Sequence, residues 1–313
     1  MSLPAAPGTD RQTASPPGFR SGFVALAGRP NVGKSTLLNR LIGTKVSIVS
    51  PVPQTTRLVI RAVARSAAAE IVYVDTPGIH RPQHAMNREM VEAAREALSG
   101  ADLILQLIDG AEGFGPGDGY LVRILEETRL PAFLVINKID AMRRSALLPL
   151  IDDVRRRYAW SEIHPCSALT GEGCQELEDS IRALLPEGPP LFPDDFVTDL
   201  PTRLALAEIV REQLLLRTRD ELPHATAVIV DAVERSETGE YRIAATIYVD
   251  RDSQKGIVIG KAGAGIKAIG ATARMGMAAF LGAPAHLSLW VKVKKGWRNE
   301  VQLLRLLGIS GKG

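Results

Sequence analysis

Short, mostly apolar runs alternate with amphipathic stretches along the first 186 residues. The runs cover residues 23–27, 71–74, 103–108, 132–136 and 163–166, each the length of a strand buried in a parallel sheet. Between them, apolar residues recur at helical spacing over 35–42 and near 87–100, 117–128, 146–158 and 173–184. Strand and helix in regular alternation predict a doubly wound, mostly parallel α/β unit over residues 21–186. The pattern stops at Pro186-Glu187-Gly188-Pro189-Pro190, which continues to Asp195 through another proline. Such a run reads as a stiff linker, placed at 187–201. Beyond it the order becomes helix (203–216), strand (226–233), strand (241–249), a glycine turn, helix, and strand (287–294). That order predicts a second, α+β unit over 202–313. Residues 1–20, rich in Pro, Ala, Gly and Ser, bury too little apolar surface to fold alone and read as a disordered tail.

The joint between the first predicted strand and helix carries the chemistry. Gly28-Arg29-Pro30-Asn31-Val32-Gly33-Lys34-Ser35-Thr36 fits a loop whose backbone N–H groups turn inward around phosphate, with the following helix N-terminus adding positive potential. There Lys34 reaches the outer phosphates and the Ser35 hydroxyl is a ligand for Mg²⁺. Asn137-Lys138-Ile139-Asp140 follows another predicted strand and reads as the guanine-recognising partner of that loop. Asp75-Thr76-Pro77-Gly78 is weak alone, since an Asp-x-x-Gly is expected about once in a chain of this length from average composition. Its position after the 71–74 run puts Asp75 at a strand's carboxyl end, where open α/β sheets bind ligands.

Composition narrows the setting. The two cysteines, Cys166 and Cys174, lack metal-ligand spacing and suit a reducing compartment. No apolar run approaches the 18 or so residues of a membrane span, and no signal-peptide core is evident, so a cytoplasmic protein is expected. The net charge of +3 hides an asymmetry: from Lys255 onward there are ten Lys+Arg against one acidic residue, Glu300. A solvated basic face is one reading; a polyanionic partner is the other.

That basic region contains Ile259-Gly260-Lys261-Ala262-Gly263, the Gly-x-x-Gly form of a KH loop, in which glycines let backbone clamp the sugar-phosphate of about four nucleotides. A helix cap or turn is the plainer alternative. Ile266 and Ile269 behind the loop, and Lys267, Arg274, Lys292, Lys294 and Lys295 around it, favour RNA.

Together these motifs resemble those of the Era GTPases from Gly22 to Gly308. The resemblance is carried by residues 28–39, Pro53-Gln54-Thr55-Thr56-Arg57, Asp75 to His80, Asn137 to Asp140, Ser167-Ala168-Leu169, Glu221-Leu222-Pro223, the 259–270 stretch, and Trp290-Val291-Lys292-Val293-Lys294. It implies a P-loop GTPase domain followed by a type II KH domain, GTP hydrolysis, binding near the 3′ end of small-subunit ribosomal RNA, and assembly of that subunit. It also implies a monomer.

The implied site uses Lys34 and the loop backbone for phosphate. Ser35 with Thr55 or Thr56 ligates Mg²⁺, and Asp75 supports the metal through water. Asp140, Asn137 and the Ala168 N–H face guanine, with Lys138, Ser167 and Leu169 beside them. Thr76, Pro77, Gly78 and Ile79 line the phosphate end. Ile79 stands where Ras-like proteins orient water with a glutamine, so intrinsic hydrolysis is expected to be slow. The resemblance to other GTPases with an apolar residue there suggests a bound K⁺ with Asn31 as ligand; Asn31 as a turn residue is the alternative. Ala262 departs from the family's usual third glycine. Two further readings compete with the assembly GTPase: an RNA-binding scaffold that holds GTP without turnover, and a GTPase acting peripherally at the inner face of the cell membrane.

Overall fold

A computed structural model describes residues 17–78 and 85–309. Its first unit is a six-stranded sheet in the order β2-β3-β1-β4-β5-β6. The strands are β1 (Arg20–Gly28), β2 (Ile60–Arg65), β3 (Ala69–Asp75), β4 (Leu103–Asp109), β5 (Ala132–Asn137) and β6 (Glu162–Pro165). All pairs are parallel except β2 with β3. Helices α1 (Lys34–Ile42), α2 (Ala85–Ser99), α3 (Pro116–Thr128), α4 (Leu147–Arg155) and α5 (Cys174–Leu184) complete the alternation. β3, β4 and β5 are buried at every position, which is why they read as continuous apolar runs.

Two sequence expectations need correction here. Arg20, assigned to the tail, is the first residue of β1 and pairs with Ala69. β2 was not anticipated, because Ile-Arg-Ala-Val-Ala-Arg carries an arginine near each end and is too mixed for a buried run; it is the antiparallel edge. Residues 1–16 of the predicted tail lie outside the described residues.

The proline-rich linker is docked rather than spanning free space. The Val63 N–H donates to the Val197 carbonyl at 2.9 Å, and the Asp199 N–H to Arg61 at 3.2 Å. The buried Glu70 carboxylate accepts the Leu191 and Phe192 N–H groups at 2.6 and 3.1 Å. This strap covers the backbone groups of β2 that an edge strand would leave open.

The second unit comprises α6 (Thr202–Arg217), β7 (Thr226–Arg235), β8 (Tyr241–Val249), α7 (Asp252–Ile259), α8 (Ala264–Leu281), β9 (Ala285–Val293) and α9 (Val301–Leu306). Its sheet runs β7-β8-β9, antiparallel then parallel, with α6 and α8 packed on one face through Leu206, Val210, Ile269, Ala273 and Met277. Leu58, Ile60, Met86 and Met90 of the first unit share a core with Trp297, Leu303 and Leu304 of the second. Trp297 is fully buried and its indole N–H donates to the Ala225 carbonyl at 3.0 Å. A Trp at a joint core of this kind contributes on the order of 3–5 kcal/mol, so the two units are held in one arrangement by apolar burial.

Candidate functional site

The loop from Gly28 to Ser35 leaves the carboxyl end of β1 and enters α1, at the same sheet edge as the carboxyl ends of β3, β4 and β5. Gly33 has φ +99°, a conformation L side chains rarely adopt. Lys34 is buried, and its Nζ folds back to donate to the carbonyls of Gly28 and Arg29 at 3.0 and 3.1 Å. Burial brings its pKa down to about 8, partly offset by the Asp75 carboxylate.

Beneath the loop three hydroxyls and a carboxylate oxygen converge. Ser35 Oγ lies 2.7 Å from Thr56 Oγ1 and donates to Asp75 Oδ2 at 2.7 Å; Ser47 Oγ donates to the same oxygen at 3.0 Å. Asp75 is buried, and desolvation raises its pKa against the pull of Lys34 and these hydroxyls. Its Oδ1 has no hydrogen-bond partner among the described residues. Of the two candidate threonines, the structure brings Thr56 to Ser35. Thr55 Oγ1 instead donates to the Val52 carbonyl at 2.6 Å and meets Ser50 Oγ at 2.6 Å.

The other loop residues divide by role. The Arg29 side chain is engaged by protein, paired with buried Asp118 at 2.9 Å and with Glu112 at 3.2 Å. Asn31, at φ +65°, donates from Nδ2 to the Pro51 carbonyl at 2.7 Å. The Thr76 hydroxyl is committed to the Leu26 carbonyl at 2.7 Å. Gly78 packs on Pro30 so closely that a Cβ would lie 3.0 Å from its ring. Ile79 lies outside the described residues. A cleft of about 590 Å³ runs along this loop, lined also by Thr36, Ile48, Thr56, Lys138 and, from α6 of the second unit, Leu216.

At the far end Asn137 is buried and both ends of its amide are used. Nδ2 donates to the Val32 carbonyl at 2.7 Å and Oδ1 accepts the Ala168 N–H at 2.9 Å. The pair braces the phosphate loop against the 166–169 loop, using one of the two Nδ2 hydrogens of Asn137. Lys138, at φ +64°, pairs with Asp109 at 2.6 Å. Asp140 is exposed in the short turn Ile139–Ala141, free to meet a base. The Ser167 hydroxyl accepts the Thr170 N–H at 3.1 Å. Leu169 is 69% exposed, and its carbonyl accepts from Arg40. Ser47, Asp109 and Arg40 escaped the sequence reading because no local motif marks them; each acts on a partner far along the chain.

In the second unit Gly260 and Gly263 have φ +71° and +78°, and Ala262 between them adopts φ +50°, ψ +29°. Ala262 therefore holds the left-handed conformation that glycine would adopt without strain. A Cβ on Gly260 would lie 2.8 Å from the Gly265 nitrogen. Next to this loop, α8 and β9 frame a groove of about 350 Å³ lined by Ile266, Lys267, Gly270, Arg274, Leu287 and Leu289. Lys267 and Arg274 are exposed beside an apolar floor, the combination that stacks bases and holds phosphates, and Lys261 is exposed on the adjoining loop. Lys292 alternates to the opposite face of β9. Lys294 is paired with Glu300 at 2.7 Å. Two of the expected cations, Lys267 and Arg274, thus line the groove, while Lys292 and Lys294 stand apart from it.

Comparison with known proteins agrees with this division. A family model described as a 50S ribosome-binding GTPase matches residues 23–138, and one described as a KH domain matches residues 221–298. GTPase Era of Geobacter metallireducens is 47% identical over 293 residues, covering 93% of this chain and 98% of the relative. GTPase Era of Staphylococcus haemolyticus is 44% identical over 289 residues, covering 92% and 97%. Among solved structures, Era in complex with MgGDPNP and nucleotides 1506–1542 of 16S ribosomal RNA has a TM-score of 0.91 at 43% identity, covering 93% of this chain and 99% of that one. A variant of Aquifex aeolicus Era bound to GDP and aluminium fluoride has a TM-score of 0.90 at 43% identity, covering 93% and 100%.

Proposed function

This chain belongs to the Era family of GTPases, and we propose from that premise that it hydrolyses GTP while binding small-subunit ribosomal RNA near its 3′ end, in the service of assembling that subunit. The observation that carries the proposal is one chain holding both a phosphate loop and a glycine-bent basic groove, in a fold similar from end to end to Era bound to 16S ribosomal RNA. The GTPase part runs from Arg20, where β1 begins, to residue 186, the RNA-binding part is 202–313, and 187–201 join them. It works as a cytoplasmic monomer on GTP, GDP and the small ribosomal subunit. No helix of the described residues is long and apolar enough to cross a membrane, and peripheral association with the membrane's inner face is the finer reading left to flotation assays.

The residues under the loop suit Mg²⁺. Two hydroxyls and a buried carboxylate with an unpartnered oxygen form an all-oxygen donor set of the kind this hard cation takes. Ser35 and Thr56 would ligate it directly and Asp75 through water. Held there, Mg²⁺ would neutralise charge developing on the phosphates. Lys34 exchanges its two carbonyl partners for phosphate oxygens, and the backbone N–H groups of residues 28–35 orient the terminal phosphoryl group for attack by water. Asp140 accepts from the guanine ring N–H and exocyclic amine, which adenine cannot satisfy. With Ile79 in the glutamine position, hydrolysis is slow unless assisted. K⁺ on the Asn31 side-chain oxygen is our reading of that assistance, since Asn31 Nδ2 is already committed to Pro51.

The test uses the full chain. Replacing Lys261 and Ala262 by Asp-Asp is expected to weaken single-stranded ribosomal RNA binding by more than about tenfold, because two carboxylates then face phosphates, while GTP binding holds. Unaltered RNA affinity refutes the groove as the RNA site.

A further inference from the structure

Residues 44–59, between α1 and β2, contain no helix or strand, yet they carry Thr56 to Ser35. An irregular segment keeps one conformation only where other groups satisfy its polar atoms, since ordering each residue costs on the order of 1–2 kcal/mol of entropy. Some of its anchors are local: Asn39 Oδ1 accepts the Val46 and Ser47 N–H groups, each at 2.9 Å. Others cross to the second unit. Glu212 of α6 accepts the Val49 N–H at 3.0 Å on one carboxylate oxygen and pairs with Lys45 at 2.6 Å on the other. Its neighbour Arg211, 2% exposed and paired with Glu208, donates to the Thr55 carbonyl. Arg57 reaches the opposite way, donating to the carbonyls of Thr226 and Pro223 at 2.8 and 3.3 Å and lying over the Trp297 ring.

Thr56 therefore sits between two residues that are each fixed to the RNA-binding unit, Thr55 through its carbonyl and Arg57 through its guanidinium. Building on the reading of Thr56 as a metal ligand, we propose that Arg211 and Glu212 are positioning residues for GTP hydrolysis, holding the 45–57 segment so that Thr56 meets Ser35. The GTPase site is incomplete without α6. By linkage, any rearrangement of α6 on RNA binding changes GTP affinity by the same factor as GTP changes RNA affinity.

The competing account is that these contacts only cement the two units. The two accounts separate on nucleotide: GDP lacks the terminal phosphate beside Thr56, whereas a cement defect affects both nucleotides. Arg211 is buried, so its removal threatens folding and Glu212 carries the test. In the full chain, Glu212→Ala is expected to lower kcat about tenfold and to raise the Mg²⁺ concentration for half-maximal turnover. GDP affinity and the thermal transition stay near those of the parent, and Glu212→Gln, which keeps an acceptor for Val49, recovers most of the rate. Parent kcat and Mg²⁺ midpoint in Glu212→Ala overturn the proposal, as does parallel loss of GTP and GDP affinity. Thr56→Ala is run alongside. If it leaves turnover intact, the metal-ligand reading fails. If it abolishes turnover while Glu212→Ala does nothing, only the positioning role fails.

Discussion

A Cβ atom on Gly33 would lie 2.2 Å from Nδ2 of Asn137. The Gly28–Ser35 loop and the strand end that leads into Asn137-Lys138-Ile139-Asp140 thus touch at a point where only hydrogen fits. Asn137 cannot swing aside, since its amide is fixed to Val32 and Ala168 at both ends. The two motifs, separated by about a hundred residues of chain, form one rigid block.

Gly33→Ala accordingly meets both a clash and a φ of +99°. The expected result is a loss of stability on the order of 2–3 kcal/mol and GTP affinity reduced by about 10²-fold or more, because the N–H groups of the loop no longer converge. Urea unfolding and titration with a fluorescent GTP analogue measure the two effects; parent-like binding contradicts the steric argument.

Asp140 stands exposed beside the braced block. Asp140→Asn replaces an acceptor pair by a donor, so GTP affinity is expected to fall by on the order of 10²-fold while xanthosine triphosphate, with a carbonyl in place of the amine, gains. Competition binding with the two nucleotides decides it, and equal GTP affinity in parent and variant removes Asp140 from base recognition.

If K⁺ acts at Asn31, turnover in K⁺ exceeds that in Na⁺ several-fold at fixed Mg²⁺, and Asn31→Ala abolishes the difference with nucleotide binding largely retained. Identical rates in the two salts eliminate the cation from the mechanism.

Ala262 bears a left-handed backbone at φ +50°. Ala262→Gly relieves about 1–2 kcal/mol of that cost and returns about 0.4–1 kcal/mol through a more flexible unfolded chain. A net stabilisation of roughly 0.5–1 kcal/mol is expected from these two magnitudes, read as a higher urea midpoint. Destabilisation would indicate that the loop does not hold this conformation.

His224 sits half-buried near the joint, and burial together with Arg57 and Arg298 lowers its pKa from the ordinary 6.5. The unfolded chain then takes up a proton at a higher pH than the folded one, so this residue's contribution to stability falls as pH drops through 6.5 toward the lower folded value. His224→Gln is expected to flatten the decline in thermal midpoint between pH 7 and 5. An unchanged slope counts against it.

Local chemistry in the sequence determined the elements and the motifs. Strands buried on both faces, such as β4 and β5, are apolar throughout and announce themselves; the phosphate loop and the Asn-Lys-x-Asp stretch are contiguous and depend on residue type at fixed spacing. β2 stayed hidden because an edge strand with arginines near its ends has no such signal, and the linker's docking on it depends on pairing between distant segments. Only tertiary structure could choose Thr56 over Thr55, since adjacent threonines are alike in sequence and differ in which one faces Ser35. It also turned Asn137 inward, separated Lys292 from the groove by the alternation of β9, and brought Arg211 and Glu212 of α6 to the loop that carries Thr56. Those choices are made by burial and hydrogen-bond satisfaction across long stretches of chain, which no window of sequence contains.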